Sequence, residues 1–281
     1  MSKFDYRNNY KYIFNEVGIY GGNQGSPMKN VKAYEYIVRK YHPSFTYEEV
    51  ENYLIKLNSE GCGYVALINA LLSFFVGKEN LYQKIFGYSF YDEEGQINFN
   101  DLIVDFYSAT DNHNLVNAIF CKLDYIDQRE DESDKKGWGT DVRKREWRFE
   151  SFLKKYGIKA DVRSVKVTPE NFEKLSKKGP IIVGIKPEVL YDEQGNQKEQ
   201  SEKGHAMTIT GVTGDGRFVV SSWGEKYFIK PGTYEGHENY QQIRFKWIPG
   251  SKLGRFYIKH FYRAKAPLFK MIEWAMNLGA R

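Results

Sequence analysis

Between Cys62 and Val76 the chain reads CGYVALINALLSFFV, apolar on nearly every side of a helical wheel. At about 1.5 Å per residue such a helix is some 22 Å long, too short to cross a bilayer. The segment therefore predicts a buried central helix, with Asn69 and Ser73 as its polar stripe. Helices are predicted before it, near 31–40 and 46–57. The second opens on Thr46 and Glu49, a capping-box pair, and LNSEG breaks it. After the central helix, YDEEGQIN forms a turn and a helix comes next near 99–109. Read as a calcium loop, that turn would put Phe90 first and Asp101 last, where oxygen donors and a bidentate Glu belong, so a plain turn is the better reading. A further helix near 141–156 stops at Gly157 after Lys154 and Lys155.

The pattern then changes to alternation. Strands are predicted near 159–167, 180–185, 226–230, 241–248 and 255–262, with a short helix starting at Thr168-Pro169. Polar residues 187–203 read as a loop or exposed hairpin around DEQGN that could gate a cleft. They lead into GHAMTITGVTGDGRFVVSSWG, a hairpin turning at Gly-Asp-Gly. The last stretch, 263–281, is an amphipathic helix with Leu268, Met271, Ile272, Ala275 and Leu278 on one face, suited to its own domain or to a partner. Helices first and strands second give an α+β class with two segregated halves. The charged run DQREDESDKKGWG, 127–139, reads as a solvated loop, the weakest point of the middle and a candidate break between lobes, and residues 1–30 read as an irregular arm.

Composition narrows the function. A chain of 281 residues with 41% hydrophobic and 16% aromatic residues has material for one domain of two lobes. Forty-one basic against 36 acidic residues leave +5 with interspersed signs, which argues against a nucleic-acid partner. No zinc spacing or glycine-rich phosphate loop is present, so no cofactor is expected. MSKFDYRNNYKYIF has no apolar signal core and no run is long enough to span a membrane. The expectation is a cytoplasmic protein, or one exported without a classical signal peptide.

Two cysteines make no disulfide framework. Cys121, in LVNAIFCKL, reads as a core residue. Cys62 differs: it starts a buried helix between Gly61 and Gly63, where a capping Ser, Thr, Asp or Asn is usual. Unpaired N–H groups and the helix dipole favour an anion there, so a thiol so placed is expected to ionise readily. A nearby imidazole would serve as base and then as acid to the leaving group. His205, at the mouth of the hairpin, is the candidate. His42, His113, His237 and His260 have no evident partner.

GCG opening a long apolar helix, then GHA on a strand and SSWG one hairpin later, resembles the papain-like cysteine peptidase superfamily, including its double-glycine and staphopain-type relatives. The resemblance covers roughly 46–262, with a helical lobe at about 46–156 and a β lobe at about 157–262. Residues 1–45 and 263–281 lie outside it. It implies a papain-like fold in which the helical lobe, with its central buried helix, packs against an antiparallel β-sheet lobe. It also implies a Cys62–His205 pair. In that family an Asn orients the imidazole and a Trp shields the contact. Sixteen positions after His205 stands Ser221, followed by Trp223, so Ser221 takes the orienting role and Trp223 the shielding one. Asp215 could help. The family's oxyanion Gln would fall at Lys56. The nearest amide is Asn58, which reads equally as an oxyanion donor beside the Cys62 N–H or as a helix C-cap.

The activity implied by the resemblance is that of a thiol-dependent hydrolase of peptide or isopeptide bonds working through an acyl-enzyme. The alternatives are an acyltransferase or deamidase effector or toxin, and a non-catalytic binding module. The implied partners are a polypeptide substrate and a protein inhibitor or immunity protein, with no nucleic acid or membrane. The orienting role of Ser221 also sets a condition on strand register. His205, Met207 and Ile209 share a strand face, and Ser221 joins them if the Gly-Asp-Gly turn is an odd loop centred on Gly214, with Val212 opposite Gly216 and Met207 opposite Ser221. That register is the expectation.

Overall fold

Gly61 closes one helix and opens the next without a linker. The helix before it, α2 (Tyr47–Glu60), starts on the Thr46–Glu49 capping box, both halves of which form. It runs through LNSE rather than breaking there, because buried Leu57 keeps the last turn packed. The next helix, α3 (Cys62–Phe75), is buried along almost its whole length, as its all-round apolar surface requires. The computed structural model describes residues 13–14, 19–110, 142–234 and 237–247. The charged run 127–139, the strand near 255–262, the segment 263–281, Cys121, His113 and His260 lie outside them.

Around α3 stand α1 (Val31–Tyr41), α4 (Glu79–Phe86), α5 (Asn100–Thr110) and α6 (Val142–Lys154). The periodicity did not single out α4. It ends at Gly87, whose φ of 82° is a left-handed C-cap. YDEEGQIN is a tight turn in which the Asp92 carboxylate accepts from the Gln96 N–H at 2.7 Å.

The second half is one eight-stranded antiparallel sheet among the described residues. Its strands are β1 (Ile158–Ser164), β2 (Ile181–Ile185), β3 (Glu188–Tyr191), β4 (Gln197–Ser201), β5 (His205–Val212), β6 (Phe218–Ser222), β7 (Glu225–Ile229) and β8 (Asn239–Trp247). They lie in the order β1-β8-β2-β5-β6-β7-β3-β4. The polar segment 187–203 is the hairpin β3–β4. Alternation divides the sheet's faces. Ile182 and Ile243 join the helical core around α3, whereas Ile181, Val183, Met207, Ile209 and Val220 join a second core with Phe172 of α7 (Pro169–Ser176). The class is α+β, with helices gathered mainly on one face of an antiparallel sheet. The seam between them is α3 on β5, where Thr208 Oγ1 donates to the Ala66 carbonyl at 3.2 Å.

The register of β5 against β6 departs from the expected one. The turn is odd, as expected, but it is centred on Asp215: Thr213 N–H bonds the Arg217 carbonyl at 2.9 Å, Gly216 has φ 83°, and Val212 faces Phe218. That pairing alone would put Ser221 on the His205 face. A bulge between Ile209 and Gly211 then shifts it by one, so Thr208 faces Ser221. The extra residue is Thr210, whose hydroxyl lies 2.5 Å from that of Tyr20. Ser221 therefore shares the α3 side with Thr208, and Ser222 takes the side of Met207 and His205.

Candidate functional site

His205 begins β5 and is 6% exposed. Its Nε2 lies 2.7 Å from the Ser222 hydroxyl, and its ring stacks on Trp223 at 4.7 Å between centroids and 26° between planes. The indole is held there by an unusual backbone. Trp223 has φ 49° and Gly224 φ 79° between the paired Ser222 and Glu225, the pattern of a type I′ turn. A bulky residue in the left-handed region is strained and persists only where its surroundings fix it.

The hydroxyl on His205 is thus Ser222's and not Ser221's. Ser221 Oγ donates to the Tyr20 carbonyl at 2.6 Å and accepts from Asn69 Nδ2 at 3.4 Å. Both groups were beyond sequence reasoning, since one lies in the apparent arm and the other in the central helix. Asp215 gives no help to His205 either. It sits in the hairpin turn, with its carboxylate on Arg217 Nε at 2.8 Å.

The arm is the element that sequence reasoning undervalued. Tyr20 N–H donates to the Gly224 carbonyl at 2.8 Å, and Gly22 N–H to Asn69 Oδ1 at 2.9 Å. Gly21, with φ 88°, passes so close to Ser221 that a Cβ there would stand 2.2 Å from its hydroxyl. A Cβ on Gly224 would stand 3.5 Å from Asn23 Cβ, and one on Gly61 3.0 Å from Gln24 Cβ. Gln24 is 5% exposed, so a buried amide side chain lies beside the residue that precedes Cys62. The signal that could have found it is GGNQG, a glycine cluster that lets backbone approach backbone around one amide.

Cys62 is half-exposed at the first position of α3. Asn58 lies in the exposed last turn of α2, where its Oδ1 would stand 2.6 Å from a Cβ on Gly25. It is not the C-cap, because the helix continues to Glu60. Its carbonyl oxygen is turned to the arm, and Gln24 is a second amide residue, packed beside Gly61. His42 stacks on Phe45 at 4.5 Å and belongs to an aromatic cluster with Tyr53.

A carboxylate completes the surroundings of His205. Glu188, at the start of β3, is 6% exposed, and its Oε1 stands 3.7 Å from His205 Nε2. Burial pushes His205 down to about 3. It pushes Glu188 up to about 7, with Glu199 adding to the rise and Lys203 opposing it. Each group is biased toward its uncharged form by desolvation. Among the described residues, no group of three or more His, Cys, Asp or Glu is placed to hold a metal ion. No helix of the described residues is long and apolar enough to cross a membrane. Comparisons with protein-family models, with curated proteins and with solved structures found no match.

Proposed function

We propose that this chain is a thiol-dependent hydrolase of peptide or isopeptide bonds, with Cys62 as nucleophile and His205 as base. The observation that supports it is the path of residues 20–24. They run from the Trp223–Gly224 turn that holds the imidazole to Gly61, which precedes the thiol. Elements distant in sequence are thereby tied to the two reactive groups. Ser222 and Glu188 both address Nε2, which leaves Nδ1 as the nitrogen for the thiol proton. In this reading Nδ1 takes that proton and the sulfur attacks the substrate carbonyl carbon. The C–N bond then breaks as Nδ1–H protonates the leaving amine, and water releases the acid from the thioester. The Cys62 N–H and Gln24 are the candidate donors to the oxyanion, with Gln24 in place of Asn58.

One observation favours a second reading, a binding module without catalysis. His205 is buried and falls on the Met207 side of β5, whereas Thr208 is the residue that touches α3. Catalysis requires the imidazole to present Nδ1 around the end of the strand. An activated acyl probe separates the readings. A thioester mapped to Cys62, absent in Cys62→Ala and slowed in His205→Ala, supports the hydrolase. No adduct, together with alkylation at the rate of a free thiol, supports the binding module.

A further inference from the structure

Glu188 and Ser222 approach the same ring nitrogen of His205, at 3.7 and 2.7 Å. This is not a relay of serine, imidazole and acid on opposite ring atoms. Ser222, itself 4% exposed, is therefore no nucleophile. The Ser222 hydroxyl holds the ring by a hydrogen bond, and the Glu188 oxygen stands just beyond hydrogen-bond reach of the same nitrogen. The Glu188 Oε1 atom is buried without a hydrogen-bond partner. An orphaned carboxylate oxygen beside an imidazole is costly unless a proton or a charge arrives there.

The position of Glu188 is fixed from several sides. Ile185, the last residue of β2, pairs with His205, and Glu188 comes three residues later. Its own N–H donates to the Lys203 carbonyl at 3.1 Å. The next residue's carbonyl accepts from the Tyr234 hydroxyl at 3.0 Å. The far end of the β3–β4 hairpin is clamped by Arg217, which donates to the carbonyls of Asp192 and Glu193 at 3.0 and 2.9 Å. The hairpin is therefore anchored at both ends.

Resting on the hydrolase reading, we propose that Glu188 is a positioning residue for His205: its carboxylate keeps the proton on Nε2 and accepts the imidazolium that forms when Nδ1 takes a proton. An ionised carboxylate can only accept, so its presence selects the Nε2–H tautomer and frees the Nδ1 lone pair. Imidazolium and carboxylate then form a buried pair supported by Ser222, which offsets the desolvation that opposes either charge alone. The titratable groups around Glu188 are His205 on β5, Glu199 on β4, Lys203 after β4 and Tyr227 on β7. Glu199 raises and Lys203 lowers the pH at which Glu188 ionises, so the carboxylate that selects this tautomer forms as pH rises through about 7.

The test is side-chain ¹⁵N NMR of His205 against pH in the full chain, with the alkylation rate of Cys62 measured in parallel. In the wild type the Nε2–H tautomer is expected above pH 7, and its signal should track the Glu188 carboxyl titration. Glu188→Gln should lower the His205 midpoint by about one unit and slow alkylation at pH 7.5 about tenfold. Glu188→Asp should restore part of both. An unchanged midpoint in a folded Glu188→Gln protein overturns the proposal. If that variant does not fold, a wild-type His205 signal that ignores the Glu188 titration overturns it equally. A shifted midpoint with unchanged alkylation upholds the carboxylate–imidazole pair and overturns the Cys62–His205 reading instead.

Discussion

The Ser221 hydroxyl donates to the Tyr20 carbonyl at 2.6 Å, joining residues 201 positions apart. That bond, and not a contact with His205, is what the first serine of SSWG does. Its loss would leave a buried carbonyl and the Asn69 amide short of a partner. Ser221→Ala is expected to lower unfolding free energy by about 1–3 kcal/mol in urea titration while leaving the His205 environment intact. Ser222→Ala is expected to do the reverse, changing the His205 ¹⁵N shifts at smaller cost in stability. If Ser221→Ala moves the His205 signals and Ser222→Ala does not, the assignment is wrong.

Gly21 tests the arm. It has φ 88°, and a Cβ would strike the Ser221 hydroxyl. Gly21→Ala therefore combines backbone strain with a clash and should destabilise more than Gly95→Ala. Gly95, at φ 76°, carries the strain but has nothing within 4 Å of its Cβ position. Equal midpoints for the two variants in thermal melts would argue that the arm does not bear on stability.

Gln24 tests the oxyanion role. If it meets charge only in the transition state, Gln24→Ala should cost roughly 10²–10³-fold in turnover of an acyl substrate, with Cys62 alkylation nearly unchanged. Asn58→Ala should cost little in either assay. A large loss with Asn58→Ala and none with Gln24→Ala would return the role to Asn58.

Stability should depend on pH through two buried groups with opposite signs. Glu188 is raised to about 7, so its stabilising protonated form is lost as pH rises from the ordinary glutamate range through about 7. His205 is lowered to about 3, so stability is lost as pH falls below the ordinary imidazole range toward about 3. Glu188→Gln removes the first effect and leaves the second unchanged between pH 5 and 8, where folded His205 stays neutral in both proteins. Relative to wild type, the variant should be more stable at pH 8 than at pH 5 in urea denaturation. The same difference at both values would show that Glu188 does not titrate as described.

The sequence made the helical half legible wherever burial keeps to a 3.6-residue period, as in α3, and wherever a cap is explicit, as at Thr46. It also brought out the strands near 159–167, 180–185, 226–230 and 241–248, and the resemblance pointed to Trp223, which stacks on His205. The role of Ser221 was hidden because it turns on a single bulged residue. Thr210 is bulged where its hydroxyl meets Tyr20, a partner from the opposite end of the chain. Local turn chemistry at Gly-Asp-Gly carries no information about that. Gln24 was hidden for a related reason. The glycines around it leave no hydrophobic period to read, and its neighbour Gly61 is brought to it only by the packed helices. Glu188 sat in a polar stretch for which a loop and an exposed hairpin were equally open readings, and neither carried an inward side chain.

Asn69 joins Gly22 and Ser221 through one amide in the middle of α3. Its two partners are made at very different times on the ribosome. Gly22 has its partner once α3 is made, whereas Gly21 and Tyr20 must wait for Ser221 of β6 and for Gly224. Contacts of such sequence separation form late and slow the folding of the whole chain. The groups proposed to act with Cys62 are thus in place only after His205 and Ser222 have been synthesised and the sheet has closed. A nascent chain carries the thiol without the groups proposed to activate it.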